Sequence, residues 1–182
     1  MKNHIEFCKE QTTKTSKPKI YVACLAAYNN GYSHGEWINA DQDADDLYAD
    51  IKKILISSPI AGAEEFAIHD YEEFGDICID EYTSLETVSM IANFVVEHDD
   101  LGAAVLAHTN GDINEAQQLL DECYHGEYDS EEDFAESFAG NTMEIPAHLE
   151  YYIDYEKMAR DLFINDFFSI KVNYKTHVFS YR

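Results

Sequence analysis

Lysine and arginine are missing from residues 54–156 of this 182-residue chain, a run of 103 positions that carries 26 Asp and Glu. An ordinary surface mixes the signs, because opposite charges four apart on a helix stabilise it slightly and like charges do the reverse. The absence leaves no basic groove over most of the chain. It disfavours direct nucleic-acid binding and docking on an anionic membrane. Cysteine is sparse too. Cys8, Cys24, Cys78 and Cys123 are widely spaced, with no CxxC pair. A zinc ribbon and a dithiol redox motif are thereby excluded, and free thiols in a reducing compartment are the simple reading. No apolar run reaches 18 residues, and the opening MKNHIEFCKEQTTKTSKPK has no apolar core. The expectation is a cytoplasmic protein with no signal peptide and no membrane span.

Catalytic signatures are absent as well. No GxSxG elbow, HExxH helix, GxGxxG turn or Walker loop occurs. His69–Asp70 is an isolated pair, and His34, His98 and His108 lack metal-ligand spacing. Asp41, Asp43 and Asp45 start like a calcium loop, but Asp46 stands where glycine is needed and Lys52 where the bidentate Glu belongs. These residues predict a protein that is not an enzyme and uses no metal or cofactor.

What is present is a foldable and very acidic chain. Hydrophobic residues make up 46% and aromatics 13%, with 13 Tyr and 10 Phe, which excludes a disordered acidic tail. Net charge is -24 with His neutral. Self-repulsion of that size opposes folding, and it steers the chain toward basic partners. Duplex DNA presents about one charge per 1.7 Å of axis to such a partner. Carboxylates on neighbouring helices could approach that density, since residues four apart on a helix rise about 6 Å. From composition alone, imitation of DNA and generic acidity both stay open.

The pattern along the chain predicts an α+β fold with mixed sheet and helix at the ends and a mainly helical centre. Residues 1–19 form a polar leader. Lys19–Ala27 is predicted as a buried strand, Asn29–Gly31 as a turn and Glu36–Asn39 as the return strand. Asp43 is the expected cap of a helix with Leu47, Ile51, Ile54 and Leu55 on one face, stopped by Ser57–Pro59. Glu65–Tyr71 and Ile77–Ile79 have strand character. Thr83 with Glu86, and Asp112 with Glu115, are predicted capping boxes. Asp99–Asp100 should interrupt the first of these helices, with Leu101–His108 a short helix after it, closed by Asn110–Gly111. The second helix carries Ile113, Ala116, Leu119, Leu120 and Cys123 on one face. A further helix is expected over Asp129–Ala139 with Gly140 as its stop. Another is expected over Ala147–Ile164, broken near Tyr152, and two strands around Asn173–Lys175 should end the chain.

Tyr151, Tyr152 and Tyr155 alternate with acids, either as core rings or as a self-association surface. Three segments in the same order, KIYVACLAAYNNGYSHGEWI from Lys19, AIHDYE from Ala67 and EIPAHLEYYIDYEKMARDL from Glu144, resemble the ArdA antirestriction proteins. The resemblance spans residues 19–182. It implies a non-catalytic DNA mimic that competes for the DNA-binding groove of type I restriction–modification enzymes, encoded mainly on mobile elements. It also implies an elongated multi-domain chain of three small domains, dimerised end to end. Mapped here, these are 20–80, a helical 81–122, and 123–182 with the dimer contact. The antirestriction motif maps to Glu144, Glu150, Asp154, Glu156 and Asp161. Tyr151, Tyr152 and Tyr155 become expected homodimer contacts. Lys157 and Arg160 lie inside the motif, where they suit pairing with acids across an interface. Two carboxylate groups, Glu115, Asp121 and Glu122, and Glu131, Glu132 and Glu136, are expected to share partner binding. An acidic adaptor for another basic DNA-binding protein is the alternative.

Overall fold

The computed structural model describes residues 17–181. The leader reading of residues 1–19 therefore lies almost wholly outside the described residues. The fold is α+β, with sheets near the two ends and helices concentrated between them. The first sheet has the order β2-β1-β3, built from β1 (Lys19–Cys24), β2 (Gly35–Asn39) and β3 (Phe66–Glu72), all antiparallel. β1 is central because its Ile20, Val22 and Cys24 are apolar and fully buried. The strand expected over Lys19–Ala27 stops at Cys24 and becomes the short helix α1 (Leu25–Asn29). Leu, Ala and Ala favour helix, and the chain turns into α1 after the Leu25 amide makes one last bond in the β1–β3 register, to the Glu65 carbonyl at 3.0 Å. Gly31, at φ 80, helps return the chain to β2.

α2 (Ala44–Ile56) buries Leu47, Ile51 and Ile54 against this sheet. Asp43 occupies its cap position, but its side chain makes no capping hydrogen bond. Ile77–Cys78–Ile79 is not a strand. The two isoleucines are buried and Cys78 is exposed, so their alternation reports burial without a ladder partner.

The centre is α3 (Leu85–His108) followed by α4 (Ile113–Gln118). Ser84, not Thr83, caps α3 by accepting from the Thr87 amide; Thr83 instead accepts from the Asp80 amide. The interruption falls where it was expected: Asp99 has φ 52 and ψ -148, which kinks α3 and makes Leu101–His108 its second limb. Gly102 is needed after the kink, because a Cβ there would lie 2.4 Å from the His98 Cβ. Asn110 and Gly111, at φ 53 and 87, end the helix. Asp112 caps α4 through the Glu115 amide, and the chain then widens into a π-turn over Leu119–Cys123.

The second sheet has the order β4-β6-β5, from β4 (Tyr124–Tyr128), β5 (Phe167–Val172) and β6 (Lys175–Ser180). β4 was not expected from the sequence. α5 (Glu131–Thr142) is capped by Ser130 rather than Asp129, and it runs through Gly140 to Thr142. A glycine stops a helix only where the chain needs positive φ, and Gly140 does not have it. The break near Tyr152 is present. Glu150–Tyr152 is a single 3-10 turn, and α6 (Tyr155–Asn165) begins after the Asp154 cap. β5 and β6 join through Asn173 and Tyr174, both at positive φ, the two-residue turn that matches strand twist. The main buried cluster runs from Ile20 through α2, α3 and α4 to Phe179 on β6, while Phe134, Phe167 and Val178 form a small second one.

Candidate partner-binding surface

Within residues 54–156, every Asp and Glu is exposed except Glu73, Asp100 and Glu131, which are half-buried. Their local reason is helix chemistry. Free amides and the positive dipole end at each helix start favour carboxylates. Asp112 and Glu115 open α4, Glu131, Glu132 and Asp133 open α5, and Asp154 and Glu156 open α6. Asp112 and Asp154 each accept a backbone amide, and the other acids of these first turns stand in the field of the helix dipole. The charge of Glu81, with that of Glu65 adding to it, pushes the Tyr82 phenol above its ordinary pKa. Burial raises Tyr124, and the Glu127 charge raises it further.

The predicted partner residues fall in two places. Glu115 lies on α4, and Asp121 and Glu122 lie on the π-turn after it. Asp121 accepts from the Gln117 amide at 3.1 Å on both oxygens. The rest belong to the C-terminal part. Glu131 accepts from the Ser169 hydroxyl at 2.7 Å, while Glu132 and Glu136 are exposed on α5. A cleft of about 430 Å³ brings Glu131, Glu132 and Glu156 together with Asp129, Arg160 and Lys171. A second cavity, of about 470 Å³, gathers Asp154 and Asp161 with Lys157, Met143 and Asp166. Glu144 and Glu150 stand exposed on the segment between α5 and α6.

Tyr151 and Tyr152 are 92% and 84% exposed, so neither ring fills the chain's own core. Tyr155 is half-buried. Met143, Leu149 and Ile164 are further exposed apolar groups in this C-terminal part. Arg160 pairs with Glu156 at 3.4 Å within α6.

The sequence reading left out a set of equally exposed acids ahead of α4: Glu64, Glu65, Asp70, Glu72, Asp80, Glu81, Glu86 and Glu97. The missing Lys and Arg covered them from the start, but no local motif singled them out. It also missed a cation that returns to the bare stretch. Lys175 lies 3.8 Å from Glu127 and 2.5 Å from Asp129, because β6 pairs with β4. The Asp129 hydrogen bond, and then its charge, raise the Lys175 pKa. Among the described residues, no group of three or more His, Cys, Asp or Glu is placed to hold a metal ion. Among them, too, no helix is long and apolar enough to cross a membrane.

A family model described as antirestriction protein (ArdA) matches residues 20–176. No curated protein matches the chain. With the acid field, the bare stretch and the matched span in agreement, the chain belongs to the ArdA family of antirestriction proteins, non-catalytic DNA mimics that act on type I restriction–modification enzymes.

Proposed function

We propose that this protein works as a homodimer whose exposed carboxylates occupy the DNA groove of its type I enzyme, in competition with DNA and without binding DNA itself. The observation that carries the reading is the 103-residue stretch with no Lys or Arg and no buried Asp or Glu. Carboxylates dock against the Lys and Arg that otherwise hold phosphates, and many weak contacts engage together. Glu115, Asp121, Glu122, Glu131, Glu132, Glu136, Glu144, Glu150, Asp154, Glu156 and Asp161 share this load. Tyr151, Tyr152 and Tyr155 carry the dimer contact, a role supported by the exposure of the first two rings. Tyrosine suits such a place because its ring is covered while its hydroxyl keeps a polar partner.

The proposal includes an elongated particle of three units, 20–80, 81–122 and 123–182, joined by shared apolar contacts rather than by linkers. It places the protein in the cytoplasm and requires no cofactor. Scattering and sedimentation test the particle: a mass of two chains and a length well beyond a compact globule are expected. A compact monomer at micromolar concentration contradicts it. Mobility shifts test the partner: no complex with duplex DNA alone, and no change when a chelator is added.

A further inference from the structure

We propose that the open face of the β2-β1-β3 sheet carries an aromatic pocket for one cationic side chain, the guanidinium of an arginine in the partner enzyme's DNA groove. This rests on the reading above and adds to it a contact that is not a carboxylate. The pocket has a volume of about 320 Å³, with Tyr21, Tyr28, Gly31, Tyr32, His34 and His69 in its lining. That is near the small end of ligand sites, enough for a guanidinium and its stem. Tyr28 and Tyr32 are 61% and 53% exposed, so these rings are not core residues. Large exposed rings gathered at one place mark an interaction site more often than scattered ones do.

The fold holds the rings before any partner arrives. Tyr28 meets the His69 ring edge-on, with centroids 5.0 Å apart at 82°. Tyr21 stands opposite Trp37 across the β1–β2 ladder, with centroids 5.6 Å apart. It can do so because residue 35 is glycine: a Cβ there would lie 2.8 Å from the Tyr21 hydroxyl. The loop carrying Tyr32 is pinned by the Tyr32 amide, which donates to the Ala27 carbonyl at 3.0 Å.

The chemistry favours a planar cation. Aromatic faces are negative and attract a cation placed over them. The His34 Nε2–H donates to the Ile54 carbonyl at 2.8 Å, which leaves Nδ1 as an acceptor in the neutral ring. His69 Nε2 lies 4.0 Å from a Glu81 carboxylate oxygen. Among the described residues, no Lys or Arg lines the pocket. Lys19 shares the sheet face but stands at the strand start, opposite Glu72. Arginine fits better than lysine, because guanidinium is flat, stacks on rings and is more weakly hydrated. A nucleobase would stack equally well, but the net charge of -24 repels its phosphates.

Trp37 is the one tryptophan of the chain, and it touches a ring of the pocket, so its emission reports occupancy. Acetyl-arginine amide should change that emission saturably. Acetyl-lysine amide should act more weakly, and acetyl-citrulline amide, which has the same shape without the charge, should have no effect. The variant Tyr28→Leu with Tyr32→Leu keeps net charge and should lose the response. In displacement of labelled target DNA from the type I enzyme, it should need roughly tenfold more protein. The paired Phe substitutions should retain wild-type potency. If the leucine pair lowers Tm, Tyr32→Leu alone, on the loop, carries the same test. Wild-type potency in a folded leucine variant, or an equal response to citrulline, overturns the pocket. Failure of the wild-type protein to displace DNA overturns the groove-occupancy reading instead, and the arginine titration still judges the pocket by itself.

Discussion

In the β4-β6-β5 sheet the central strand buries four residues in a row, Thr176 to Phe179, whereas the central strand of the β2-β1-β3 sheet leaves Tyr21 half-exposed between buried Ile20 and Val22. Covering both faces of β6 takes helices and aromatic rings on each side. Phe134 and Phe138 of α5 pack with Phe167 and Val178 on one face, and Phe179 joins the main core on the other. The first sheet has α2 on one face and leaves aromatic rings on the other. The C-terminal sheet is therefore built for stability, with its acids carried outside on α5 and α6. Among the described residues, the N-terminal sheet leaves Tyr21 half-exposed and Trp37 exposed on its second face.

The largest test of this contrast is in the cores. Phe179→Ala removes a fully buried ring stacked on Phe168 at 5.3 Å, and should cost about 3–5 kcal/mol in denaturant unfolding. Tyr21→Ala on the open face should cost about 1 kcal/mol. Equal costs would mean that both sheets are covered alike. Next in size is the dimer. Tyr151→Ala with Tyr152→Ala should weaken self-association by roughly tenfold in sedimentation, as truncated aromatic interface anchors commonly do, with Tm nearly unchanged. A drop in Tm without a change in association would make both rings structural.

A smaller effect comes from pH. Burial holds the His177 imidazole below its ordinary pKa of 6.5, and its Nδ1 shares a hydrogen bond of 2.8 Å with the Tyr124 hydroxyl. The unfolded chain then takes up more protons than the folded one as pH falls below that value. Stability should drop through that window and level off only below the folded pKa. Between pH 7.5 and 5.5 the wild type should lose more Tm than His177→Gln, which lacks the titrating group. Parallel Tm curves would show that His177 protonates without penalty.

Legibility followed locality. The β1–β2 hairpin, the α3 interruption at Asp99, the α4 cap at Asp112 and the β5–β6 turn all rest on neighbours in sequence, and each was readable. β4 was not. Tyr-His-Gly-Glu-Tyr has no β-branched residue, Gly126 sits at φ 120, and its pairing partner β6 lies about fifty residues later. Ile77–Ile79 failed the other way, since alternation marks burial whether or not a ladder forms. Of the binding surface, the missing cations were visible at once. Which acids stand together was not, because the cleft holding Glu131, Glu132 and Glu156 depends on how α5 meets α6. The tyrosine pocket escaped in part for the same reason: Tyr21, Tyr28 and Tyr32 are close in sequence, but His69, against which Tyr28 packs, comes from β3.

The smallest expected effect is that of one charge. Glu132→Gln or Glu136→Gln alone should shift half-inhibition by less than about threefold, because an exposed pair contributes about 0–1 kcal/mol. All three amides at 131, 132 and 136 should shift it progressively further. Loss of all inhibition from one amide in a folded protein would contradict a shared acid field.

The most direct test of the central claim is a titration of this protein into a type I restriction–modification enzyme already holding labelled target duplex. DNA release should rise to completion, with no complex containing all three components. The concentration for half-release should grow with DNA concentration and with salt. A stable complex that keeps DNA on the enzyme while this protein is bound would contradict occupation of the groove.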